Sequence, residues 1–108
     1  MATFHIKEDD DSPTISTTLK DSAGTVINLT GATVTIRAKR IGSTTRVIDG
    51  ESVTVSSATG GVVQYQLSTT ETATHGVYRL EWDVTYSGGR VETFPNEGYD
   101  IMQIEKVL

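Results

Sequence analysis

From Val77 to Tyr86 the chain alternates without a break. Tyr78, Leu80, Trp82, Val84 and Tyr86 are apolar or aromatic, and Arg79, Glu81, Asp83 and Thr85 between them are charged or polar. A period of two scatters apolar residues around a helix, whose faces recur every ~3.6 residues, but gathers them on one face of a strand. The segment therefore predicts a β-strand with an aromatic face against a core and a charged face in water. Trp82 stands in phase with Tyr78, Leu80 and Val84, which makes it a core anchor rather than a ligand platform.

The same period recurs in shorter runs. Val34, Ile36 and Ala38 oppose Thr35, Arg37 and Lys39. Ile15, Thr17 and Leu19 are in phase, as are Val53 with Val55, and Val63 with Tyr65 and Leu67. Turn residues bound these runs: Asp21-Ser22-Ala23-Gly24 leads into a short segment Thr25-Val26-Ile27, Thr59-Gly60-Gly61 forms a second turn, and Ser87-Gly88-Gly89 leads into Arg90–Phe94. The sum is about seven to nine strands at the spacing of a sandwich or barrel, and the expected fold is all-β, an immunoglobulin-like antiparallel β-sandwich. The best helical candidate is one turn within Thr69–Thr74. No repeat or linker divides residues 1–108, so a single domain is expected. With no cysteine present, packing alone must hold it.

Several function classes fit poorly. The net charge is −5 and the nine basic residues are scattered, which argues against a nucleic-acid partner. Arg37 and Lys39 share the wet face of a strand. No apolar run approaches the ~20 residues of a membrane span, and the amino terminus lacks a secretory pattern, so synthesis in a host cytoplasm and no membrane partner are expected. The sequon at Asn28-Leu29-Thr30 then has no role. Neither His5 nor His75 sits in a nucleophile signature, and the paired glycines precede strands rather than helices. The expectation is a non-enzyme without cofactors. Asp9, Asp10 and Asp11 are the residues to consider for a cation, but they lack the alternating spacing that wraps calcium, and a solvated loop is expected.

Thr93-Phe94-Pro95-Asn96-Glu97-Gly98-Tyr99 differs in kind, because Pro95 interrupts a strand while Asn96 and Gly98 supply turn geometry. It reads as a corner that redirects the chain, or as a corner that also shapes a contact surface. Together with Asp11–Leu19, Leu29-Thr30-Gly31-Ala32-Thr33-Val34, Gly61–Tyr65 and Thr74–Tyr78, this segment resembles the amino-terminal domain of upper baseplate proteins of tailed bacteriophages, in order and spacing over nearly the whole chain. The resemblance implies an immunoglobulin-like module in a virion that seats a larger protein on the baseplate. In that family a long carboxy-terminal part usually follows, whereas this sequence stops at Leu108, so fibre-holding is not carried over.

The expected partners are other phage virion proteins, with homo-oligomeric assembly in the virion compatible with the sequence. Candidate docking residues are Phe4 and Ile6 near the amino terminus, Phe94, Pro95, Asn96, Gly98 and Tyr99 at the corner, and Ile104 in the tail. Strand-edge pairing through Ala2–Lys7 and Ile101–Leu108 is the simplest mode. The alternatives are a capsid decoration or head-to-tail joining protein and, from another class, a host-surface carbohydrate-binding module.

Overall fold

A computed structural model describes residues 2–108. Nine strands follow one another: β1 (Thr3–Lys7), β2 (Thr14–Thr18), β3 (Thr33–Arg40), β4 (Arg46–Ser52), β5 (Thr54–Ser57), β6 (Val62–Gln66), β7 (Gly76–Thr85), β8 (Val91–Phe94) and β9 (Asp100–Glu105). One sheet has the order β1-β9-β7-β3-β4, with β8 also paired to β7, and the other has the order β2-β6-β5. The chain is an immunoglobulin-like β-sandwich. In that architecture β2, β6 and β5 take the places of strands B, E and D, and β3 and β7 those of C and F; β8 and β9 together make G, and β4 extends the GFC sheet.

All strand pairings are antiparallel except β1 with β9, which run parallel with Thr3 opposite Ile101 and Lys7 opposite Glu105. The fully antiparallel expectation is corrected at that pair. Ends of the chain 98 residues apart meet there, and no hairpin constrains their direction.

β7 is the spine, paired with β3 along its length and with β8 and β9 on its other side. The alternation that announced it sets the core: Tyr78, Leu80, Trp82 and Val84 are buried beside Val34, Ile36 and Ala38 of β3. Ile15, Leu19, Val63 and Leu67 close the core from the second sheet. Near the start of β7 the Tyr78 hydroxyl donates to the Thr74 carbonyl at 2.7 Å. This back-bond is like the tyrosine corner of immunoglobulin-like domains.

Three local features depart from simple alternation. β4 carries no alternation, because Val47 and Ile48 are adjacent and Gly50, at φ 79°, falls at a register shift in its pairing with β3. Thr25–Ile27 returns from the Asp21–Gly24 turn as the short arm of a hairpin, with Asp21 N–H on the Thr25 carbonyl at 2.9 Å and Ile27 N–H on that of Leu19 at 3.0 Å around the Val26–Lys20 bridge. The Thr69–Thr74 region holds the single turn expected of it, in which Thr72 N–H bonds to the Ser68 carbonyl at 3.2 Å.

Candidate docking surface

Between Phe94 and Asp100 the chain leaves β7 and returns. Phe94 pairs with Trp82 and Asp100 with Leu80, so residues 95–99 bulge out opposite Glu81 alone. The Phe94–Pro95 peptide is cis, and Gly98 has φ 72°. Pro95, Asn96 and Glu97 form one wall of an open cleft of about 510 Å³, and Thr18, Lys20 and Asp21 at the end of β2 form the other. Asn96 Nδ2 donates to Glu92 Oε2 and to the Thr93 carbonyl, both at 3.1 Å, which fixes the tip of that wall.

Asp100, 4 % exposed, lies at the base of the cleft. Its Oδ2 accepts the Trp82 indole N–H at 2.9 Å and its Oδ1 accepts the Ala2 backbone N–H at 2.8 Å. One carboxylate thus ties the core tryptophan to the start of β1. The sequence reading missed it, although a signal existed: Asp100 is in phase with Met102 and Ile104, an acid at an inward position of β9.

The candidate docking residues divide. Phe94 is buried because pairing with Trp82 turns it into the core, and Ile6 and Ile104 are buried because they face each other across β1 and β9. These three are core residues and leave the docking set. Phe4 is half-buried against the core. Pro95 and Asn96 line the cleft, Gly98 is exposed at the tip, and Tyr99 turns to the outer face of the sheet, where its ring lies 5.0 Å under the Arg79 guanidinium.

The acidic run does not converge on a point, and no group of three metal-capable side chains occurs among the described residues. Asp9, at φ 66°, donates its N–H to the Thr72 carbonyl at 3.0 Å; Thr72 Oγ1 donates to the Asp10 carbonyl at 2.8 Å, and Thr69 Oγ1 to Asp11 Oδ2 at 3.3 Å. This loop therefore packs on the Ser68–Thr72 turn. That turn is closed by a capping box: Glu71 Oε1 accepts Ser68 N–H at 2.9 Å, Ser68 Oγ accepts Glu71 N–H at 3.3 Å, and Glu71 Oε2 accepts the Tyr65 hydroxyl at 2.6 Å. Burial, followed by the Glu71 carboxylate, pushes the Tyr65 hydroxyl well above its ordinary range. Burial and the bond to Glu92 push Tyr86 up to about 12. The spacing Ser68-x-x-Glu71 is itself the sequence signal for this box.

Among the described residues five strand edges are open, and they are not alike; that of β8 is four residues long and carries Glu92. β1 bonds to β9 through its alternate residues, with Ile101 N–H on Ala2 O and Glu8 N–H on Glu105 O, both 2.9 Å. Its outward backbone groups are those of Thr3, His5 and Lys7, a guarded edge carrying a lysine. β4 carries Arg46, Asp49 and Glu51 and pairs irregularly with β3, and β5 is four residues long with its own irregularity. β2 alone is regular and uncharged. Leu19 N–H bonds to Gly61 O and Leu67 N–H to Pro13 O, so odd residues face β6. The backbone N–H and C=O groups of Thr14, Ser16 and Thr18 consequently point to the open side, along a line that runs into the cleft.

Fold and surface together define an immunoglobulin-like sandwich in which, among the described residues, no strand pairs with β2 on the side where strand A would lie beside B. Compared with models of known protein families and with curated protein sequences, the chain matches none.

Proposed function

We propose that this chain is a non-catalytic docking module of a tailed-phage virion, a tail or baseplate adaptor that holds another virion protein by strand addition at β2. The observation that carries the reading is the β2 edge, among the described residues the one strand margin with neither charge nor irregularity, beside a cleft walled by Pro95–Glu97. A partner segment in extended form would pair with Thr14, Ser16 and Thr18 and continue over the cleft. Each backbone hydrogen bond so formed adds a net ~0.5–1.5 kcal/mol, and pockets for alternate side chains add selectivity. The segments resembling baseplate domains, Asp11–Leu19 and Thr93–Tyr99, are the ones that build this edge and this wall.

Two experiments test the reading. Mass spectrometry of purified particles should find the protein in stoichiometric amount; its absence from particles removes the virion role. Ser16→Pro deletes an outward N–H while leaving the β2–β6 ladder intact. The variant should keep its fold by circular dichroism, with a loss of roughly 1 kcal/mol or less from the Ser16 Oγ bond to Val63 O. It should also fail to incorporate into particles. Normal incorporation would exclude β2 as the docking edge.

A further inference from the structure

On the outer face of the larger sheet, three cations stand in one row across three adjacent strands: Arg46 of β4 is opposite Lys39 of β3, and Lys39 is opposite Arg79 of β7. All three are exposed. Like charges directly opposite across a sheet repel, and a chain of net charge −5 has no general excess of cations to place there. The next row shows the compensated arrangement, with Arg37 between Asp49 and Glu81. Arg37 Nε lies 3.1 Å from Glu81 Oε1 and its Nη1 lies 2.7 Å from Asp83 Oδ2. Of the cationic row, Arg46 is paired with Asp49 at 2.8 Å, whereas Lys39 and Arg79 make no ion pair among the described residues. The Tyr99 ring beneath Arg79 holds that guanidinium at the rim of a hollow of about 140 Å³, shared by Arg37, Lys39, Arg46 and Glu81.

We infer that this row is a second contact site, built to receive an acidic segment of a partner protein whose carboxylates complete Lys39 and Arg79 as Glu81 and Asp83 complete Arg37. Spacing favours a segment over a single ion. The cations lie one strand apart, ~4.8 Å, so side chains carried on one chain can meet them in succession. The site lies on a different sheet from the β2 edge, and Ser16→Pro leaves it untouched, so failure of one does not imply failure of the other.

The test uses the intact chain and a hexaglutamate peptide followed by NMR. Amide shifts should concentrate on Lys39, Arg46, Arg79 and Tyr99, and affinity should fall about tenfold in the Lys39→Thr/Arg79→Thr variant or on raising salt from about 50 to about 200 mM. Lys39→Thr alone should raise the melting temperature of the free protein by about 1–4 °C, by relieving repulsion within the row. Added peptide should raise the melting temperature of the wild type but not of the double variant. Shifts spread over the surface, affinity unchanged in the double variant, or a lowered melting temperature in Lys39→Thr would each overturn the inference. Equal binding of inorganic phosphate at matched charge would also do so, since the row would then accept any free oxyanion.

Discussion

At the scale of single residues, the most informative side chain is Asp100. It is a buried acid whose partners are two neutral donors, the indole of Trp82 and the amide of Ala2. Asp100→Ala would leave the buried Trp82 indole N–H without an acceptor, at a cost of about 1–3 kcal/mol, and would also remove the part-buried bond to the Ala2 amide. We expect a loss of roughly 2–4 kcal/mol in urea unfolding, with Asp100→Asn losing less because one carbonyl acceptor remains. Equal losses for the two substitutions would show that the site needs both carboxylate oxygens as acceptors and that one remaining carbonyl contributes nothing. Trp82 itself was legible as a core residue from alternation alone. Its acceptor was not, because the two positions are 18 residues apart and only the pairing of β7 with β9 brings them together.

At the scale of elements, strands stop where glycines let the backbone turn, and Gly61 is the most constrained of them. It sits at φ 67°, and a Cβ there would lie 2.7 Å from the Ile27 carbonyl oxygen and 3.1 Å from that of Leu19. Its own carbonyl accepts Leu19 N–H at 2.8 Å, so it cannot withdraw without breaking the end of β2 from β6. Gly61→Ala combines left-handed strain with a backbone clash, and a destabilisation of about 2–4 kcal/mol is expected. Thermal unfolding checks it beside Gly24→Ala, where a Cβ meets nothing within 4 Å and only the strain of φ 86° applies. If the two variants melt together, the close approach at Gly61 has no weight. The turn at Thr59–Gly61 was readable from its glycines. That it also seats the end of β2 was not, since Leu19 and Gly61 are distant in sequence.

At the scale of the whole molecule, the two ends of the chain are fastened to each other and to the loop before β7. Glu8, directly after β1, accepts the backbone N–H of His75 at 3.1 Å, the His75 Nδ1–H at 3.0 Å and the Val107 N–H at 3.4 Å. The hydrogen bond from His75 holds the Glu8 carboxyl below its ordinary range. A carboxyl whose value is lower folded than unfolded contributes stability that is complete above the unfolded value of 4.5 and lost as pH falls through the folded one. The urea midpoint should therefore drop as pH falls below the unfolded value of 4.5, and Glu8→Gln should flatten part of that drop. An identical acid limb in the variant would mean that the clasp does not couple to folding.

What the sequence determined by itself is the local grammar. Period two assigned Tyr78 to Val84 and Val34 to Ala38 their inward faces, glycine pairs marked the turns, and the absence of cysteine left packing to hold the fold. These follow from one strand's own geometry and need no knowledge of its neighbours. Tertiary structure alone decided what lies beside what. It turned Ile6, Phe94 and Ile104 from candidate contacts into core, ran β1 parallel to β9, aligned Arg46, Lys39 and Arg79 in one row, and left β2 with an open edge next to the Pro95–Glu97 wall. Those outcomes depend on pairing between residues far apart in sequence. Alternation fixes which face a side chain takes, while only long-range register fixes what meets it there.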